Sequence, residues 1–516
     1  MGFAGWFGIS LTAASVTAPT IILTLAVADS VHILSTMFQK IREGKNKIEA
    51  IIESLRVNLQ PVFLTSITTA IGFLTMNFSD APPFRDLGNI VATGVIAAFL
   101  FSVLFLPAII AVLPIKIKFR KGKEVCKSCD RIANLVINHH NLVFLGTLII
   151  GFILSLGIFR IDLNDQFVKY FSKQYDIRKA SDFIEENLTG LDVIEYSLDS
   201  KEEGGISNPD YLKKVEKFTN WYKEQASVVH VSSITDIMKR LNKNMNGKFK
   251  IPKKRELAAQ YLLLYEMSLP YGLDLNNQLN VDKSASRMVV TLKDVTSKDL
   301  RAIDEKARQW LKKNTPDLFT YGSGLSIIWA NISERNINSM LVGAFWALIL
   351  ISAIMIFALK NFKLGLISLI PNLSPACIAF GIWGIFVGKV GLGLSVIVSL
   401  TLGIVVDDTV HFLSKYLRAR RELEMNTEDA IRYSFHTVGS AMWITTIALV
   451  SGFSVFAFSG YHMNSDMGIM TAITISLALA MDFLLLPTIL IKIEEKKNET
   501  IKINSNSNYD ANYSAS

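Results

Sequence analysis

Cysteine is scarce in this chain, with 3 residues in 516. That excludes a disulfide framework and, with it, a stapled secreted domain. Charge is scarce too: Asp, Glu, Lys and Arg make up 19% of the chain, where soluble domains carry about a quarter. No Gly-Lys-Ser/Thr ending follows the glycine-rich piece at 381–393. A Walker-type phosphate loop is thereby excluded, and ATP as the driving force with it. No basic n-region precedes the first apolar run, so no signal peptide is read there. Hydrophobic residues, by contrast, make up 50% of the chain, and mean hydropathy is +0.34. A disordered chain or a collagen-like fibre is incompatible with these values. They describe a polytopic α-helical membrane protein, not a soluble enzyme, with enough polar sequence for one soluble domain.

A membrane-spanning helix needs about 20 mostly apolar residues. Full spans are read at Val16–Met37, Leu59–Phe78, Leu87–Leu113, Leu142–Phe159, Ile337–Leu359, Leu364–Val387, Leu394–Tyr416, Val438–Phe458 and Met467–Ile491. The opening Gly2–Ile9 resembles the end of a further helix. If the spans alternate, the Lys/Arg-rich segments at 40–56, 115–140, 360–363, 415–432 and 492–497 all fall on one side. That side is cytoplasmic by the positive-inside rule. The net charge of +8 therefore marks loops, and no nucleic-acid partner is expected. The long polar insertion at 161–335 falls on the other side. Val193–Leu198, Met288–Leu292 and Phe319–Tyr321 read as its strands, and Ser297 as the cap of a helix through Lys313. Strands alternating with helices make it an α+β domain.

The C-terminal bundle repeats the N-terminal one. Asp29-Ser-Val-His32 matches Asp408-Thr-Val-His411, Gly72-Phe73 matches Gly452-Phe453, Asp86-Leu-Gly88 matches Asp466-Met-Gly468, and Leu106-Pro107 matches Leu486-Pro487. Both copies enter the membrane in the same direction, so they are parallel repeats about an axis along the membrane normal. The insertion precedes the second copy and has no counterpart before the first. The expectation is a two-repeat transporter lacking its N-terminal third, which a separate chain would supply.

The run Gly403-Ile-Val-Val-Asp407-Asp408-Thr-Val-His411 and the stretch Leu366–Asn372, with a helix, a large outer domain and then five helices, resemble the RND superfamily. Within it the chain is most similar to MMPL-type predicted exporters, which share a helical block with sterol-sensing-domain and Patched-like proteins. The resemblance implies a partial first transmembrane repeat at 1–114 (end of helix 3 to helix 6) and a basic cytoplasmic linker at 115–140. Helix 7 follows at 141–160, then an extracytoplasmic porter-like α+β domain at 161–335. A second bundle of helices 8–12 occupies 336–492, and a disordered cytoplasmic tail 493–516. It also implies a multi-pass protein of the cell membrane that exports hydrophobic or lipid-like substrates, driven by protons, and forms oligomers. Two alternatives stand beside it. One is a non-transporting sterol-sensing or Patched-like module that binds membrane lipid and regulates a partner. The other is an inactive remnant.

Asp29, Asp407 and Asp408 lie within spans, where an ionised carboxylate costs roughly 2.5–3.5 kcal/mol even on the lenient insertion scale. His32 is three residues after Asp29, and His411 three after Asp408 and four after Asp407. These spacings put acid and imidazole one turn apart on one helix face. Imidazole titrates near neutrality and passes protons. The five residues read as a proton relay, with Asp408 foremost, Asp407 second and Asp29, whose neighbour is Ala28, third. Thr65, Thr69, Thr445 and Thr446 supply a supporting polar core. Family resemblance assigns the same role to these acids. The competing reading is buried polar contact between helices. Asp482 is a weaker relay candidate, and no lysine is read mid-span. Cys126-Lys-Ser-Cys129 lacks the second ligand pair that zinc needs. No cofactor or metal is expected.

Overall fold

The computed structural model describes residues 1–114, 127–163, 165–270, 273–293 and 295–513, with the side chains of Lys127 and of those beyond Lys496 left aside. The basic segment 115–126, including Cys126 of the CxxC pair, lies outside them. In chain order the principal elements are α1 (Ala18–Arg42), α2 (Lys47–Leu74), α3 (Pro82–Leu100) and α4 (His140–Ser155). There follow β1 (Asp192–Asp199), α5 (Pro209–Lys223), β2 (Val228–Ser232), β3 (Ala285–Leu292) and α6 (Ser297–Asn314). The chain then runs through α7 (Leu325–Leu359), α8 (Leu369–Phe386), α9 (Ile397–Arg421), α10 (Thr427–Ser454) and α11 (His462–Tyr513). Among the described residues, nine helices are long and apolar enough to cross a membrane, one for each span read from the sequence.

The chain divides into two compact units, Met1–Asp162 with Arg335–Ser516, and Leu163–Glu334. In the first, α9 is the central helix: most of its side chains are buried. At the other extreme is α4, whose Leu142, Leu145, Ile150 and Phe152 are all exposed. An apolar helix with no buried face is what a lipid-facing span looks like.

The repeat shows in how the helices start and stop. Asn46 caps α2 by accepting from the Glu49 N–H at 2.9 Å, and Asn426 caps α10 by accepting from the Asp429 N–H at 2.8 Å. Each cap satisfies one of the orphan donors of a first helical turn. Both helices end in a 3-10 turn, Thr75–Phe78 and Val455–Phe458. Of the two matched prolines, Pro107 follows a π-turn at Phe101–Phe105 and opens Leu106–Val112, whereas Pro487 sits inside α11. Helix α11 continues to Tyr513, past the boundary at which a disordered tail was expected; extending an existing helix costs little compared with starting one.

The second unit holds a three-stranded antiparallel sheet in the order β1-β3-β2, with Ile194 opposite Val290 and Tyr196 opposite Met288. Alternation buries Ile194, Tyr196 and Leu198 of β1 and Met288, Val290 and Leu292 of β3 against α5 and α6. Two sequence expectations are corrected. Phe319–Tyr321 is not a strand, because Pro316 opens a 3-10 turn at Pro316–Leu318 and the sheet pairing resumes only as a single bridge between Glu195 and Ser323. The cap of α6 is Thr296, not Ser297: Thr296 and Asp299 exchange side-chain to backbone hydrogen bonds in a capping box.

Candidate functional site

The site lies where the two repeats meet, and small residues let them meet closely. A Cβ on Gly72 of α2 would stand 2.9 Å from the Gly403 Cα of α9, so the two backbones are in direct contact. Thr69 ties the seam by donating to the Gly403 carbonyl at 2.8 Å. The symmetry-related contact sets Gly452 of α10 against Thr24 of α1.

On this seam the paired histidines come together. His32 of α1 and His411 of α9 stack with ring centroids 3.6 Å apart and planes inclined by 3°. Both are buried, at 2% and 0% exposure. Residues at equivalent positions of two parallel repeats touch each other only near the axis that relates them. Each copy holds its acid in the same way. Ser66 donates to Asp29 at 3.4 Å, and Thr446, its repeat counterpart, donates to Asp408 at 3.4 Å. Asp407 has no counterpart, since Ala28 stands at its position. Its Oδ1 approaches His411 Nε2 at 3.5 Å. A crevice of about 10 Å³ lies between Asp29, Asp407, Thr65, Ser66 and Thr69, room for about one water molecule. The acids that face each other across the axis are thus Asp29 and Asp407, with Asp408 turned toward α10. Thr445 bonds back to its own helix at the Ala441 carbonyl.

Asp482 belongs to a second cluster. The Thr409 hydroxyl lies 2.7 Å from Asp482 Oδ1 and 2.7 Å from Asn372 Oδ1. A hydroxyl has one hydrogen, so one of these two neighbours presents its own, through the Asn372 amide or a carboxylic acid. In the first repeat the matching pair is Ser30 and Ser102, 3.2 Å apart.

Lys415 is the residue that sequence reasoning misplaced. It was read as a loop cation, but α9 runs on to Arg421 and carries it inside the bundle. It is 4% exposed, one turn beyond His411, with Nζ 3.3 Å from Asn58 Oδ1. Asn58 also reaches toward the His32 carbonyl at 3.4 Å. The available signal was the four-residue spacing from His411, which continues the acid–imidazole face by one turn.

The MMPL family model matches residues 1–128 and 223–499, more than half of the chain. The chain belongs to the MMPL family. No curated protein matches its sequence. Among solved structures, it is similar to SecDF of Thermus thermophilus, a translocon-associated membrane protein, with TM-score 0.56 and 13% identity over 96% of this chain and 56% of that one. It is also similar to the hedgehog release protein Disp of the water bear Hypsibius dujardini, with TM-score 0.63 and 14% identity over 91% of this chain and 62% of that one. At these identities the likeness is one of fold, and this MMPL chain spans less than two thirds of either neighbour. Its family and the nine apolar helices among the described residues together make it a multi-pass membrane protein.

Proposed function

We propose that this MMPL chain exports hydrophobic or lipid-like molecules and that proton entry through the bundle drives the movement. The observation that carries the reading is the axial pair His32 and His411, with Asp407 beside His411, Asp29 across the crevice from Asp407, and Asp408 next in the chain held by Thr446. Buried acids and imidazoles within one turn of each other can exchange protons without long side-chain movement. Their position on the seam between repeats means that a change of charge there alters how the two halves attract each other. With the basic loops taken as cytoplasmic, unit Leu163–Glu334 lies outside and meets the substrate there.

The test is made in cells that produce the protein from its own locus, so that any companion chain is present. Asp408→Asn keeps size and polarity and removes the titratable group. It is expected to raise retention of a lipophilic dye to the level a protonophore produces, with membrane insertion unchanged. His411→Ala is expected to shift the pH dependence of efflux and not merely its rate. Normal efflux with an unchanged pH profile in Asp408→Asn would leave these acids as helix contacts.

One observation favours the lipid-binding alternative. An apolar cavity of about 710 Å³ is lined by Ile22, Leu23, Gly94, Phe101, Phe105 and Ile109, among others of the N-terminal segment Met1–Ile9, α1 and the α3 region. It has the size of a small-molecule pocket. Saturable photo-crosslinking of a sterol there, with no proton-dependent efflux in any variant, would select that reading.

A further inference from the structure

His32, Asp407 and His411 each present one ligand atom within 4.8 Å of the other two. All three belong to the membrane-spanning unit, and their partners are missing in a specific way. His32 Nε2, both ring nitrogens of His411, and Asp407 Oδ1 are buried without a hydrogen bond. The nearest approach, His411 Nε2 to Asp407 Oδ1 at 3.5 Å, is too long to be one. Buried polar atoms are nearly always satisfied, so several orphans on three neighbouring side chains call for an explanation. Packing accounts for the stacked rings but not for their unanswered nitrogens.

We propose that His32, His411 and Asp407 bind a divalent transition-metal ion, with zinc as the reference. Two neutral imidazoles and one carboxylate are a three-ligand set that zinc accepts, its fourth position left to a water or another oxygen. The crevice of about 10 Å³ on the far side of Asp407, walled by Asp29, Thr65 and Ser66, has room for about one water beside that carboxylate. Zinc–ligand bonds of roughly 2.0–2.2 Å put tetrahedral ligand atoms about 3.4 Å apart; because the lone pairs of two parallel rings cannot meet at one ion, binding requires the stacked imidazoles to splay apart. Hard cations such as magnesium or calcium prefer oxygen ligands throughout, and two imidazoles disfavour them. Asp407, and Asp29 across the crevice, offset the charge of the ion. Lys415, one turn from His411, opposes it. Binding does not depend on the relay described above. Its consequence does: with a metal on both imidazoles the relay is blocked, and the ion acts as an inhibitor of transport.

The experiment uses the full chain purified in detergent on a tag without histidine, titrated with Co(II) and then Zn(II). One equivalent of Co(II) is expected to give the visible bands of a tetrahedral centre, and Zn(II) to displace them. His32→Ala, His411→Ala and Asp407→Asn are each expected to weaken binding by about 100-fold or more. His411→Cys retains a ligand and is expected to add a sulfur-to-cobalt charge-transfer band, which tests position 411 even if the alanine variant misfolds. Lys415→Met is expected to tighten binding several-fold, while the double variant His139→Ala, His140→Ala binds as the parent does. Absence of stoichiometric binding by the parent overturns the proposal. So does undiminished binding in the three ligand variants, or loss of binding in the His139 and His140 variant.

Discussion

Burial gives individual polar residues their weight in this chain. In the unit Leu163–Glu334, Tyr196 donates to Asp304 at 2.9 Å and its hydroxyl lies 2.6 Å from that of Tyr222. Burial pushes both phenols well above their ordinary range, and Tyr211 up to about 12. Tyr196→Phe leaves Asp304 with the Gly322 N–H and Arg308, and is expected to cost about 1–2 kcal/mol in denaturant unfolding. Asp192 behaves differently: desolvation raises its carboxyl above the usual range, more than its contact with Ser326 lowers it. A group whose folded pKa is raised binds its proton more tightly in the folded state, so the penalty is full at neutral pH. It is relieved as pH falls through the raised value toward the ordinary one. Asp192→Asn is therefore expected to unfold at a higher temperature than the parent at neutral pH, the gap closing on acidification. At this scale the buried acids and histidines were legible, because charge inside an apolar run is conspicuous. The stacking of His32 on His411 was not: it joins residues of separate repeats, and only the repeat register hints at it. Lys415 escaped because a basic residue at the end of a span reads as loop.

At the seam between the repeats, helices meet by backbone approach. At Gly403 an added methyl meets the Cα of Thr69 at 2.9 Å, and backbone cannot swing aside. At Gly452 the obstacle is the Thr24 side chain, which can rotate. Gly403→Ala is expected to cost about 1–3 kcal/mol and Gly452→Ala clearly less, read as midpoints of thermal unfolding in detergent. An equal loss at both would mean that Thr24 is as immobile as backbone. The spans were legible as elements because apolar length is a one-dimensional signal, while the polar capped starts of α2 at Lys47 and of α10 at Thr427, well before Leu59 and Val438, were not. The strand Val228–Ser232 was not, for it is five residues long with Val229 and His230 exposed and only Val231 buried. Phe319–Tyr321 has the composition of a strand, but a preceding proline turn decided its backbone.

For the molecule as a whole, the duplication sets the layout of the membrane-spanning unit. The proposed orientation across the membrane rests on the basic loops, and a single cysteine at Lys248, an exposed position in Leu163–Glu334, tests it. Lys248→Cys is expected to react with an impermeant thiol reagent added to intact cells; protection until the cells are lysed would reverse the topology. The seam between Gly72 and Gly403 has a mechanical meaning as well. Two backbones already touching cannot move closer, so a tilt of one half-bundle against the other turns about that point as about a fulcrum. His411 stands eight residues along α9 from Gly403, a lever arm of about 12 Å at roughly 1.5 Å per residue. A tilt of about 5° then displaces its ring by about 1 Å. Against a stacking distance of 3.6 Å, that is enough to bring the two imidazoles into or out of contact, while the far ends of the helices sweep correspondingly further.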